Sequence, residues 1–289
     1  MKLSELYLYG RKALAQTEDL QTAGMLARNL LCHATEKTQQ RLLADMDHYA
    51  SETVCQSFTD MVTRVSNGEP IAYVLGEWDF FGMTLKVTPD VLIPRDDTCA
   101  VAELAIKHGL FLGKMPRILD LCTGSGCIGL AVASRITDAR VTLADISKEA
   151  LAVAKYNVTQ QKMTGRVSCV QADAMEKPNA FLGKFDMIIS NPPYITTQEM
   201  RQLPESVKDF EPHLALHGGL DGLDFYRSIA SNYAAALKPE GYLCFEFGMN
   251  QGDDVCQILE ENGYSILERV NDYRNIERAV IARLKRKDV

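Results

Sequence analysis

The most specific chemistry in the chain lies in the tetrapeptide Asn191-Pro192-Pro193-Tyr194. Two successive prolines fix two φ angles and remove two N–H donors, so the backbone there offers carbonyls alone. Asn191 adds a side-chain oxygen and Tyr194 a flat ring for a planar group to lie against. Such an acceptor array suits an NH2 group that is held by both hydrogens while its nitrogen attacks an electrophile. An amide nitrogen is a poor nucleophile, because its lone pair is conjugated with the carbonyl; the rotation barrier of about 18–20 kcal/mol measures that conjugation. Gripping both hydrogens out of the plane favours a tetrahedral nitrogen, and alignment with the electrophile lowers the entropic part of the barrier.

A second constellation precedes it, Asp120-Leu121-Cys122-Thr123-Gly124-Ser125-Gly126-Cys127-Ile128-Gly129, running from an apolar strand into an apolar helix. Glycines there let a ligand approach the backbone and expose the N–H groups of a helix N-terminus. Gly124, Gly126 and Gly129 satisfy GxGxxG, and Asp145 ends the next strand, so a dinucleotide competes with other nucleoside cofactors. Asp145 would accept hydrogen bonds from ribose hydroxyls, a role that NAD and S-adenosylmethionine share. Asp173, ending the third strand, offers an acceptor for an adenine amino group, or an N-cap for the following segment.

The elements that must position these groups follow from hydrophobic period. Over residues 1–75 the spacing is helical; Val54, Phe58, Met61, Val62 and Val65 share one face of a helix closed by Asn67-Gly68 and Pro70. A small helical bundle is expected there, serving as a partner-binding module or a structural cap. Residues 76–96 read as a β-hairpin linker, with Leu85 and Val87 alternating against Lys86 and Thr88. From 97 to 289 strands and helices alternate: strands at 117–122, 140–145, 167–173, 185–191, 241–247, 265–270 and 278–284, helices at 126–135, 148–159, 222–237 and 253–262. That order implies an α/β domain with a parallel, doubly wound sheet and ligands at the strand C-terminal ends.

Composition narrows the function classes. The 46% hydrophobic and 24% charged residues among 289 describe a folded protein. The longest uncharged stretch, Leu121 to Ser134, contains three glycines and falls short of the roughly 20 apolar residues that span a bilayer. With an acid at Glu5 where a signal peptide needs apolar residues, a cytoplasmic protein is expected. Eight cysteines without CxxC pairs read as reduced thiols. His213 and His217 lack the Glu of a zinc helix motif, so no metal is expected. A formal charge of −7 disfavours general DNA or RNA binding.

Taken together, the blocks resemble the S-adenosylmethionine-dependent methyltransferases with (Asn/Asp)-Pro-Pro-(Tyr/Phe), and among them the HemK/PrmC family, the N5-glutamine methyltransferases of peptide-chain release factors. The resemblance covers nearly the whole chain. It includes Glu69–Gly76, Leu92–Thr98, Phe210–Leu216, Gly218–Leu223, and Asp272-Tyr273 with Arg278. It implies a Rossmann-like class I methyltransferase domain that uses S-adenosylmethionine and releases S-adenosylhomocysteine. Cys122, Thr123, Gly124, Ser125 and Gly126 would hold the methionine part of the cofactor, Asp145 the ribose, and Asp173 with Ala174 the adenine. Asn191, also beside the cofactor, and Pro192 would grip the substrate glutamine amide, with Pro193 and Tyr194 packing around it. The implied partner is the Gly-Gly-Gln-bearing domain of class-1 release factors, recognised with help from the helical N-terminal domain. A monomer is expected, working by direct transfer without metal or covalent intermediate.

Two positions depart from the family pattern: Cys122 stands where a glycine is usual, and Cys99 replaces the Glu that ends the Pro-Arg-Pro-Asp-Thr-Glu block. The remaining alternatives are a ribosomal-protein glutamine methyltransferase, an adenine-N6 methyltransferase on RNA or DNA, and a noncatalytic protein that kept the fold. An NAD-dependent oxidoreductase leaves Asn191–Tyr194 without a role.

Overall fold

Helix punctuation shapes the first of two units. In the computed structural model, which describes residues 1–286, this unit contains α1 (Leu3–Leu14), α2 (Leu20–Thr35), α3 (Gln39–Ala44), α4 (Glu52–Ser66) and α5 (Ile71–Leu75). The last three positions of the expected 97–289 domain lie outside the described residues. Asp19 caps α2 by accepting from the Gln21 and Thr22 amides at 2.8 and 3.1 Å, and Ser51 caps α4 through Val54 at 3.2 Å. Each such cap is worth about 0.5–2 kcal/mol. From α4, Phe58, Met61 and Val62 are buried against Leu6, Leu30 and Leu31. Gly10 lets α1 and α4 approach, since a Cβ there would lie 2.5 Å from the Phe58 ring.

The second unit comprises Glu77–Leu203 and Glu211–Val289, while Pro204–Phe210, which contains a short helix, groups with the first. The hairpin β1 (Glu77–Phe80) and β2 (Met83–Lys86) belongs to this second unit. Asn157 fastens it there: its Oδ1 accepts from the Lys86 amide at 2.7 Å, and its Nδ2 donates to the carbonyls of Lys86 and Ser125 at 3.0 and 2.9 Å.

Next come α6 (Cys99–Gly109), β3 (Arg117–Leu121), α7 (Cys127–Arg135), β4 (Arg140–Asp145), α8 (Lys148–Gln160), β5 (Val167–Gln171), β6 (Phe185–Ser190) and α9 (Glu205–Lys208). The chain continues through α10 (Asp224–Asn232), β7 (Leu237–Glu246), α11 (Gly252–Glu261), β8 (Tyr264–Asn271) and β9 (Glu277–Leu284). The seven-stranded sheet runs β5-β4-β3-β6-β7-β9-β8. β3 to β7 are parallel, as the expected doubly wound sheet requires, and β9 adds an antiparallel edge by pairing antiparallel with both β7 and β8. The physical reason is the tight Asp272–Ile276 turn, where Asp272 Oδ1 accepts from the Arg274 and Ile276 amides at 2.8 and 2.9 Å; a parallel crossover needs a dozen or more residues.

Both sheet faces are covered, so the strands read as nearly continuous apolar runs. Ile118, Val141, Met187 and Cys244 pack on the α6, α7 and α8 side; Leu119, Leu121, Ile188 and Phe245 meet α10 and α11 through Tyr226 and Leu259. The expected helix over 222–237 ends earlier, at Asn232, and β7 begins at Leu237. Between them the chain tightens into a 3-10 turn over Tyr233–Ala236, and Pro239 keeps the helix from running on past it. Among the described residues no helix is long and apolar enough to cross a membrane.

Candidate active site

The strand order reverses between β3 and β6, and a cavity of about 490 Å3 opens there beyond the strand C-terminal ends. Of the residues singled out by sequence, Cys122, Thr123, Gly124, Ser125, Asp145, Asp173, Ala174, Asn191 and Pro193 line it. Gly126, Pro192 and Tyr194 do not. Gly126 turns the chain into α7 at φ +85°, with its Cβ position 3.0 Å from Leu143. Pro192 is buried, and Tyr194 is partly buried and packs against the apolar cluster that includes Tyr226 and Leu259.

The glycine loop is shaped by an acid inside an apolar strand. Asp120 is fully buried; its Oδ2 accepts from the Thr123 hydroxyl at 2.6 Å and the Gly129 amide at 2.8 Å. Burial pushes its carboxyl up to about 7, against the pull of those two donors. Gly129 is required by closeness, since a Cβ there would stand 2.2 Å from Leu143 and 2.9 Å from Asp120 Oδ2. Cys122 adopts the left-handed conformation, φ +61°, that glycine would occupy without strain. Asp145 receives the Gly124 amide on one oxygen at 2.9 Å and the Ser147 amide on the other at 3.0 Å. Its carboxyl is raised by burial, with the Gly124, Ser147 and Ile146 amides opposing.

Across the cavity the backbone of Asp173 and Ala174 is pinned, as Tyr233 and Ser228 donate to their carbonyls at 2.9 Å each. The Asp173 carboxylate accepts from the Met175 amide at 2.8 Å, capping the following turn. Ser190 ties β6 to β3 through the Leu121 carbonyl at 2.6 Å, so Asn191 leaves the sheet at a fixed height. Asn191 Nδ2 donates to Thr98 Oγ1 at 3.5 Å.

Three independent comparisons bear on this geometry. A Methyltransferase small domain matches residues 106–220 and a PrmC N-terminal domain residues 5–76. A release factor glutamine methyltransferase of Clostridium acetobutylicum is 34% identical over 282 residues, 98% of either chain. The chain belongs to the family of release factor glutamine methyltransferases. A further family member, from Moorella thermoacetica, is 37% identical over 257 residues, 89% of each chain. A crystal structure of a methyltransferase from Pyrococcus furiosus shares the fold, with a TM-score of 0.52 at 16% identity over 79% of this chain and 100% of that one.

Several residues of this methyltransferase fold, most of them within the resembling blocks, make contacts that the sequence analysis did not assign. Arg95 lines the cavity and is ion-paired to the buried Glu211. Arg278 bridges Asp97 at 3.2 Å and Asp272 at 3.1 Å, fixing the turn that carries Thr98. Gly218 and Gly222 pack on the exit from β6: their Cβ positions lie 2.6 Å from the Pro193 carbonyl oxygen and 2.3 Å from that of Tyr194. Gln251 donates to the same Tyr194 carbonyl at 3.1 Å. Asp120 carries a readable signal as the lone acid of β3, and Glu246 as the acid that ends the run 241–245.

Proposed function

We propose that this protein transfers a methyl group from S-adenosylmethionine to the side-chain amide nitrogen of the glutamine in the Gly-Gly-Gln motif of class-1 release factors, in the cytoplasm. The supporting observation is the meeting of two half-sites on one cavity, the glycine loop with Asp145 on one side and Asn191 with Pro193 on the other.

The residues present fit the cofactor. A Cβ added at Gly124, on the cavity wall, would meet nothing within 4 Å, and Asp145 keeps a lone pair on each oxygen after its two backbone bonds. Residues 122–126 would hold the methionine part, Asp145 the ribose, and Asp173 with Ala174 the adenine. When bound, the cofactor supplies a sulfonium-activated methyl group as electrophile. Asn191 Oδ1 accepts one amide hydrogen of the substrate glutamine, and the family resemblance assigns the other to the carbonyl of Pro192, which lies between the cavity-lining Asn191 and Pro193 without lining the cavity itself. Pro193 closes the wall beside them, and Tyr194 anchors the strand exit from behind. The helical unit contributes to recognition of the release factor.

The test is transfer of a labelled methyl group to a purified release factor, beside its Gln→Ala variant in Gly-Gly-Gln and a structured RNA. Label on the intact factor alone supports the reading; label on RNA alone replaces it with base methylation.

A further inference from the structure

We infer that Glu246 is a positioning residue for Asn191: its carboxylate holds the carboxamide with Nδ2 turned back into the protein and Oδ1 turned to the cavity. This deepens the reading above and rests on its role for Asn191.

The strands place the two groups together. β6 and β7 are parallel with Ser190 opposite Phe245, so Asn191 and Glu246, one residue further along each, stand side by side at the same edge. Glu246 is 2% exposed, and its Oε2 has no hydrogen-bond partner among the described residues. The Asn191 amide and the Thr98 hydroxyl both face the carboxyl and favour its charged form. A carboxylate only accepts hydrogen bonds, whereas a carboxamide has a donating and an accepting end. An acceptor behind Asn191 therefore sets which end faces forward. Thr98 reinforces the choice by taking the same Nδ2 at 3.5 Å. The forward Oδ1 is the atom that a substrate NH2 requires.

The same logic gives the site a pH dependence. Burial pushes the Glu246 carboxyl up to about 7, opposed by Thr98, Arg278 and Asn191 and assisted by Asp97. The other titratable groups facing it are Cys99 from α6, Cys127 from α7, Tyr194, and Tyr226, whose hydroxyl donates to the Glu246 main-chain oxygen at 2.9 Å. Once protonated, Glu246 offers Asn191 an O–H donor as well as an acceptor, and the carboxamide loses its directional cue. Turnover then falls on the order of tenfold from about pH 8 to about pH 6, following the ionised fraction of a group near 7.

Two measurements test this. In turnover at saturating cofactor and release factor, Glu246→Gln should lower kcat about tenfold at pH 8, abolish the acid limb, and leave the cofactor Kd within about twofold. Glu246→Asp should keep the acid limb. A wild-type kcat with an unchanged acid limb in Glu246→Gln overturns the inference. The second measurement needs no substrate, so it separates this inference from failure of release-factor methylation. In asparagine-labelled protein, the Asn191 Nδ2 resonances, assigned by their loss in Asn191→Ala, should titrate with a midpoint near 7 in wild type and not in Glu246→Gln. Resonances that do not titrate, or that titrate equally in both, overturn it.

Discussion

Gly218 does not line the cavity, yet replacing it by alanine should slow methyl transfer sharply. The new Cβ would lie 2.6 Å from the Pro193 carbonyl oxygen, 2.7 Å from Tyr194 Cα and 3.0 Å from the Tyr194 carbonyl carbon. All three are backbone atoms, so no rotamer change relieves the contact; roughly 0.8 Å of backbone movement is needed to restore van der Waals separation. Gly218 is held in place by its own amide, which donates to the Ile195 carbonyl at 2.9 Å, and by its carbonyl, which accepts from Asp224 at 3.2 Å. The Asn191–Tyr194 exit is therefore the part that shifts. Misplacing reacting groups by about 1 Å costs on the order of 10²-fold in rate, and overpacking costs about 1–3 kcal/mol of stability. Single-turnover transfer at saturating cofactor should fall by about 10- to 10²-fold, with cofactor affinity by calorimetry nearly unchanged. Gly113→Ala, where a Cβ would meet nothing within 4 Å, is the control. Wild-type turnover and wild-type melting temperature in Gly218→Ala would refute the reasoning.

Asn191→Ala should keep cofactor affinity while turnover drops on the order of 10²–10³, the loss typical of a transition-state hydrogen-bonding group; near-normal turnover removes Asn191 from the chemistry. Asp145→Ala should weaken cofactor binding by about ten- to a hundredfold in calorimetry, matching about 1.5–3 kcal/mol for a charge-assisted bond, and an unchanged Kd contradicts the ribose assignment. The Asp120 carboxyl is raised in the folded state to about 7 from an unfolded value near 3.9. Its proton-linked stability is thus fully present below about pH 4 and is lost as pH rises through about 7. Denaturant unfolding of Asp120→Asn should accordingly gain on wild type between pH 5 and pH 8, whereas a pH-independent difference between the two shows that Asp120 does not carry the shift.

Much of the site is local in sequence and was legible there. The glycine loop, Asp145 and Asn191-Pro192-Pro193 each follow a strand end, and parallel strands bring strand ends to one edge. Groups that act across the fold were not legible. Asn157 lies on α8, 71 residues from the Lys86 backbone it holds, and nothing in a helical pattern announces that partner. The grouping of Pro204–Phe210 with the helical unit has no spacing signal either, since seven residues with one short helix carry no period. The exit from β6 shows the same limit: Gly218 and Gly222 stood out as part of a resembling block, but only the distances to Pro193 and Tyr194 say why a side chain is excluded there. Tyr194 is the converse case, a ring whose sequence neighbours suggest a substrate platform and whose packing against the apolar cluster of Tyr226 and Leu259 no spacing announces.

The most direct test of the central claim is mass spectrometry of the Gly-Gly-Gln peptide from a release factor incubated with this protein and S-adenosylmethionine. The account predicts one added methyl group on the glutamine side-chain nitrogen, absent when Asn191 is alanine. A methyl group on any other residue, or an unmodified peptide from protein that binds the cofactor, would contradict it.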